Sequence, residues 1–215
     1  MIRAVLWDFG GVLTTSPFEA FNRFEAEAGL PKDFIRRVNA TNHEHNAWAR
    51  FESSAIDIET FDREFEAESR ALGHPVPGRR VIELLSGDVR PRMVSALRWC
   101  KARYKVGCLT NNVKSGQGPG MARTSDRALA VQAVMELFDV VVESSKEGMR
   151  KPNPAFYLRA CELLEIEPRD ALFLDDLGVN LKPAAALGMR TIKVVSEEQA
   201  LRELAAAVEM PLDAI

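Results

Sequence analysis

Five side chains in this sequence could carry chemistry, and each lies at the end of a short apolar run or in the loop beyond one. Asp8 follows "AVLW", Thr110 follows "VGC" and Leu109, Lys151 sits in "RKPNP", and the adjacent Asp175 and Asp176 follow "ALFL". A carboxylate fixed at a strand end is a ready nucleophile. Neighbouring acids repel one another unless a cation or hydrogen-bond donors offset them, so Asp175-Asp176 points either to a bound cation or to a pair of strand-end caps. A lysine ammonium neutralises developing negative charge, and a threonine hydroxyl can position it. Taken singly these signals are weak, because an Asp can cap a helix, a Thr can fill a turn and a Lys is usually solvated. They gain weight if the chain brings them together. In an open α/β sheet that happens at the C-terminal strand ends, where the strand order reverses.

The elements that must position them follow from the apolar pattern. The runs "AVLW", "VGCL", "VVV" after Asp139, "ALFL" and "TIKVV" ending at Val195 are too short for core helices and rich in Val, Leu and Ile, as buried strands are. Helical patterns lie between the later ones. Pro91 can open a helix running to about Arg103, and Asn153-Pro154 reads as an N-cap and first helical position before "AFYLRACELL". Gly188 stands where it would close the helix containing "KPAAAL". Alternating strands and helices predict an α/β fold, a Rossmann-like parallel sheet with helices on both faces. From Ser16 to Gly87 no strand pattern occurs, whereas Ser16-Pro17 opens a helical stretch ending at Gly29, and Phe61 and Phe65 lie one turn apart in another that ends at Gly73. The expected organisation is therefore a core of residues 1–15 and 88–215 with a helical insertion at 16–87. The glycine-rich "SGQGPG" at 115–120 lacks the spacing of a nucleotide-binding loop and reads as a mobile loop.

Composition narrows the class of partner. The 215 residues suffice for one substantial core with a smaller insertion, and 47% hydrophobic with 27% charged residues excludes a largely disordered chain. With 28 basic against 31 acidic residues, the net charge of -3 gives no bulk attraction to nucleic acid or anionic lipid, so neither is expected as a partner. Cys100, Cys108 and Cys161 are odd in number and widely spaced, which reads as buried reduced thiols. No apolar stretch is long enough to cross a bilayer, and the N-terminus lacks a secretory signal pattern, so the expected location is the cytoplasm. The chain is expected as a monomer or homodimer.

In order along the chain, "DFGGVLTT", "LTNN", "RKPNP" and "LFLDDLGVN" resemble the four motifs of the haloacid dehalogenase-like superfamily, most of whose members are magnesium-dependent phosphatases. The wording "DFGGVL" with "GMRKPNPAFY" is most similar to the subgroup resembling the N-terminal phosphatase domain of soluble epoxide hydrolases. The sequence is too short to hold the second, α/β-hydrolase domain of those proteins, so epoxide hydrolysis is not expected. The insertion occupies the place of that superfamily's all-helical cap. The resemblance implies a phosphoric monoester hydrolase acting on a small phosphorylated molecule. Asp8 is the implied nucleophile, forming an aspartyl-phosphate that water then hydrolyses. Implied Mg²⁺ ligands are Asp8, the backbone carbonyl of Gly10, and Asp176, with Asp175 close by as a ligand through water or an orienting group. Lys151 would neutralise phosphoryl oxygens, Thr110 and Asn111 would hold the transferring group, and Asn180 would support the site by hydrogen bonding.

One position departs from that pattern. Most phosphatases of the superfamily have a second Asp two residues after the nucleophile, which protonates the leaving alcohol and then activates water. This sequence has Gly10 there. Loss of a positioned acid/base typically costs about 10²–10⁴-fold. Three outcomes are open. The protein can be a phosphatase whose leaving group needs little protonation, or one in which the insertion supplies the proton, where "NHEHNAWARFE" offers His43, Glu44, His45, Arg50 and Glu52. It can be a metal-free 2-haloacid dehalogenase in which Asp8 attacks carbon, although two adjacent acids would repel the departing halide. It can also be a non-catalytic domain that binds a ligand or partner.

Overall fold

The structure, a computed structural model, describes residues 1–85, 87–112 and 125–211. The glycine-rich segment 115–120 lies outside these. Five parallel strands form one sheet: β1 (Ala4–Trp7), β2 (Lys105–Thr110), β3 (Val140–Glu143), β4 (Ala171–Asp175) and β5 (Arg190–Lys193), in the order β3-β2-β1-β4-β5. Each expected strand is present, and the last is shorter than the apolar run that announces it.

The continuous apolar runs have a direct cause in the two faces of the sheet. Val5 and Trp7 of β1, with Leu172 and Leu174 of β4, point into one hydrophobic cluster, whereas Ala4, Leu6, Ala171 and Phe173 point into another. With both faces covered, alternate residues cannot be polar. Before β1 meets β2, the chain passes through α1 (Pro17–Glu27), α2 (Phe34–Ala40), α3 (Ala47–Glu52), α4 (Ile58–Ala71), α5 (Gly78–Glu83) and α6 (Pro91–Lys101). After β2 come α7 (Ser125–Met135), α8 (Ser144–Glu147), α9 (Pro154–Leu163), α10 (Gly178–Ala186) and α11 (Glu197–Val208). Met93 and Leu97 of α6 and Leu201 and Leu204 of α11 fill the first cluster; Phe156 and Tyr157 of α9 and Ala184 of α10 fill the second.

Several helix ends fall where their sequence signals stand. Ser16 caps α1 with Pro17 at its first turn, Asn153 caps α9 through the Ala155 N–H, and Gly188 follows the end of α10 with φ 95°. The three cysteines are free and buried.

The helices α1 to α5 gather around a third cluster, in which Phe61 stacks on Phe51 at 4.5 Å and lies near Trp48 and Phe65. Two long helices were legible here, α1 and α4; α2, α3 and α5 are added by the structure. Each of the three has only six or seven residues, so the amphipathic pattern does not repeat often enough to identify them. At the joint between insertion and sheet, Thr14 and Val89 form an isolated antiparallel bridge.

Candidate active site

The strand register brings the acids together. Trp7 pairs with Leu174 across β1 and β4, and the Asp8 N–H donates to the Leu174 carbonyl at 2.8 Å, so Asp8 emerges beside Asp175. On the other flank Trp7 pairs with Cys108, which puts Thr110 at the same sheet edge. The chain moves outward from β1 in one direction to β2 and β3 and in the other to β4 and β5, so this edge is where strand order reverses.

Lys151 is the hub. Its Nζ lies 2.9 Å from Asp8 Oδ1 and 2.8 Å from Asp175 Oδ2, and the residue is 1% exposed. Asn111 clamps its backbone from both sides, donating to the Lys151 carbonyl at 3.0 Å and accepting from the Lys151 N–H at 2.9 Å. Asp175, fully buried, is held by the Leu177 N–H at 2.8 Å and by Asn180 Nδ2 at 3.1 Å from each carboxylate oxygen. The Asn180 carbonyl in turn accepts from the Tyr157 hydroxyl at 2.7 Å. Asp175 thus orients the lysine, with both oxygens engaged.

Asp8 Oδ1 also accepts the Phe9 N–H at 2.7 Å, while Oδ2 has no hydrogen-bond partner among the described residues. Asp176 likewise receives no side-chain donor among them. Asp8, Asp175 and Asp176 can each offer one oxygen, all within 4.8 Å of one another. Burial, opposed by Lys151 and reinforced by Asp175 and Asp176, raises the Asp8 pKa well above the usual carboxylate range. Burial and the neighbouring Asp175 likewise push Asp176 up to about 7. Burial works against the charge on Lys151, but Asp175 and Asp8 outweigh it and hold the ammonium above its ordinary pKa. Three acids facing Lys151, with Arg90 acting on Asp176, still leave a surplus of negative charge that a divalent cation would relieve, and an all-oxygen donor set suits Mg²⁺. The residues fit the metal.

Two adjacent glycines flank this cluster with opposite constraints. Gly11 has φ 76°, and a Cβ there would come 2.3 Å from Asp176 Oδ2. A Cβ on Gly10 would meet nothing within 4 Å. The missing second acid is therefore not explained by lack of space.

A cavity of about 530 Å³ opens on the cluster, lined at its base by Asp8, Gly10, Thr110, Asn111, Lys151, Asp176 and Asn180. Much of its wall is apolar, with Phe9, Phe18, Phe21, Trp48 and Leu85 contributing. Of the insertion residues singled out in the sequence, His43 and Glu52 line it. Arg50 instead pairs with Glu64 at 2.7 Å, and Glu44 and His45 are exposed away from the wall.

Sequence reasoning gave no role to three residues that the structure makes prominent. Arg150 lines the cavity and joins the insertion to the core, through Glu52 at 2.5 Å and the His43 carbonyl at 2.6 Å. Asn112 donates to Glu143 at 2.7 Å and accepts from the Ser145 N–H at 3.2 Å, and Ser144 Oγ donates to the Glu52 carbonyl at 2.8 Å. Their available signals were the second Asn of "LTNN" and the Arg before Lys151. Among the described residues no helix is long and apolar enough to cross a membrane.

A family model described as haloacid dehalogenase-like hydrolase matches residues 2–188. Mouse acyl-CoA dehydrogenase family member 10 is 34% identical over 98% of this chain and 19% of its own length. Mouse bifunctional epoxide hydrolase 2 is 29% identical over 94% of this chain and 38% of its own length. The chain thus spans about a fifth and under two fifths of these two relatives. Phosphatase MT3486 of Mycobacterium tuberculosis is 28% identical over 90% of this chain and 87% of its own length. Two solved structures share the fold at 19% identity. One is a haloacid dehalogenase family enzyme of Bacteroides thetaiotaomicron in complex with magnesium and inorganic phosphate (TM-score 0.58, covering 90% of this chain and 94% of that one). The other is the L-2-haloacid dehalogenase of Xanthobacter autotrophicus with chloropropionic acid covalently bound (TM-score 0.61, 98% and 85%).

Proposed function

The chain belongs to the haloacid dehalogenase-like hydrolases, and within that family we propose that it is a Mg²⁺-dependent phosphatase acting through Asp8. The observation that carries this reading is the placing of Lys151 between Asp8 and Asp175 while Asp176 stands in the same cluster without a side-chain donor among the described residues. Asp8 and Asp176, with the Gly10 carbonyl, would hold the metal. Bound there, Mg²⁺ would screen the phosphate from the acids and polarise the phosphoryl group.

The chain's own residues account for the rest. Asp8 Oδ2 is free to attack phosphorus while Oδ1 stays anchored by Lys151 and the Phe9 N–H. The attack gives an aspartyl-phosphate and releases the alcohol; water then returns Asp8 and frees phosphate. Lys151 neutralises the nucleophile and the transferring oxygens, and its position is fixed by Asp175, Asn180 and Asn111 rather than by the substrate. Such fixed charge costs no reorganisation during the reaction. Thr110 faces the same space and orients the phosphoryl group. Residues 16–87 act as a cap that excludes water and selects the substrate. The aromatic and aliphatic wall favours a small phosphate ester whose organic part is apolar.

The test is a panel of phosphate esters and 2-haloacids assayed with Mg²⁺ and with EDTA. Phosphate release that requires Mg²⁺ and disappears in a folded Asp8→Asn variant is expected. Metal-independent halide release with no phosphate release would replace this reading with a dehalogenase. No turnover of either class, with Mg²⁺ and phosphate still raising the melting temperature, would favour a binding domain.

A further inference from the structure

The mechanism above contains no group to protonate the departing alcohol, because Gly10 has no side chain. Yet one buried acid on the cavity wall is not used by it. Glu52, the last residue of α3, is 6% exposed and lines the cavity with Asp8, Gly10 and Lys151. We propose that Glu52, carried by the helical insertion, donates the proton to the leaving oxygen and accepts the proton of the attacking water in the second step. The proposal rests on the phosphatase reading.

The end of α3 is pinned to the core at two points: Ser144 Oγ donates to the Glu52 carbonyl at 2.8 Å, and Ser54 Oγ donates to the Ser145 carbonyl at 3.0 Å. Ser144 is itself bound by Asn112, whose N–H donates to its Oγ at 3.0 Å, immediately beyond Thr110 and Asn111. Glu52 is therefore held relative to the sheet edge that bears Asp8, although it belongs to the insertion.

The insertion's titratable side chains on the cavity wall are Arg36, His43 and Glu52. Arg36 cannot release a proton in the working range. His43 is exposed, and its backbone carbonyl serves Arg150. Glu52 alone of these is a buried acid.

Its surroundings suit a group that changes protonation. The charged groups facing it are Arg150, at 2.5 Å, and the more distant Lys151; the Trp48 side chain adds a hydrogen bond. Burial outweighs these and raises its pKa above the ordinary glutamate value. The buried site thus favours the protonated form more than water would, and Arg150 stabilises the anion left behind.

The steps balance. As Asp8 forms its bond to phosphorus and the bond from phosphorus to the leaving oxygen breaks, the Glu52 proton passes to that oxygen, directly or through one water, and the neutral alcohol departs. In the second step the Glu52 carboxylate takes a proton from water, the resulting hydroxide attacks phosphorus, phosphate leaves, and Asp8 and protonated Glu52 are restored.

The experiment compares alkyl phosphates, whose leaving groups need a proton, with p-nitrophenyl phosphate, whose leaving group does not, in the full chain with Mg²⁺. In the first turnover, Glu52→Gln is expected to slow alcohol release from alkyl phosphates by about 10²–10⁴-fold while changing the p-nitrophenol burst little, and it should slow the later hydrolysis of the aspartyl-phosphate for both classes. Gly10→Asp in the Glu52→Gln background should restore alkyl turnover, since the new side chain has open space. An equal first-turnover loss on both substrate classes, or no loss in either step, overturns the proposal. Two measurements do not depend on Glu52→Gln folding. The wild-type rate should depend weakly on leaving-group pKa, and Gly10→Asp alone should leave the alkyl-to-aryl ratio unchanged; a steep dependence or a large gain overturns the proposal. Wild-type phosphate release from neither class would instead remove the phosphatase reading itself.

Discussion

Gly10 and Gly11 sit side by side beneath the acid cluster, and what a methyl group would meet at each differs sharply. At Gly11 the positive φ penalises any L side chain, and the added Cβ would press on Asp176 Oδ2. Gly11→Ala should therefore destabilise the protein by more than about 1 kcal/mol and weaken the rise in melting temperature produced by Mg²⁺. Gly10→Ala should leave both measurements near wild type. Thermal melts of the two variants with and without Mg²⁺ make the comparison, and equal behaviour would show that Asp176 does not depend on Gly11 for its position. From the sequence the two glycines look alike, because neither φ nor the approach of Asp176 is written there. Asp8, Thr110, Lys151 and the Asp175-Asp176 pair were legible, since each ends an apolar strand or lies in the loop beyond one. The division of labour between the two acids was not. Asp175 faces Lys151 and Asn180 whereas Asp176 has no such side-chain donors among the described residues, a difference created by tertiary placement.

At the scale of elements, Asn112, two residues beyond β2, belongs to a buried polar network that no local pattern announces. Asn112 bridges Glu143 at the end of β3 and the Ser145 N–H at the start of α8, and its own N–H engages Ser144. Replacing it by Ala leaves the Ser145 N–H without that acceptor and leaves Glu143 with the Lys146 ion pair. Asn112→Ala should cost about 1–3 kcal/mol in urea unfolding, the usual penalty for stranding a buried polar group. A loss within about 0.5 kcal/mol would mean that water takes over the bonds. The sheet was readable for the opposite reason: both faces of β1 and β4 are covered, so burial alone writes the strand into the sequence. Short helices such as α3 gain their place from partners distant in sequence. Glu52 in α3 meets Arg150 and Ser144 across about ninety residues of chain, so neither its burial nor its partners could be anticipated from its neighbours.

At the scale of the whole molecule, the insertion has its own apolar cluster while the sheet's two faces carry the others, and the acids that would hold a cation all belong to the sheet. Among the described residues, polar links between the insertion and the sheet side include Arg150 with Glu52 and His43, Ser144 with Glu52, and Ser54 with Ser145. A lesion at the centre of the insertion should therefore act on that unit first. Phe61 is fully buried and lies against Phe51, Trp48 and Phe65, so Phe61→Ala should remove about 3–5 kcal/mol from the insertion. Calorimetry of this variant should resolve two transitions, of which the later one still moves upward with Mg²⁺ and phosphate, since the acids proposed to hold the cation lie on the sheet side. A single transition that no longer responds to Mg²⁺ would show instead that the insertion must be folded for the acid cluster to form, and that Lys151 and its partners are held from above as well as from the strand ends.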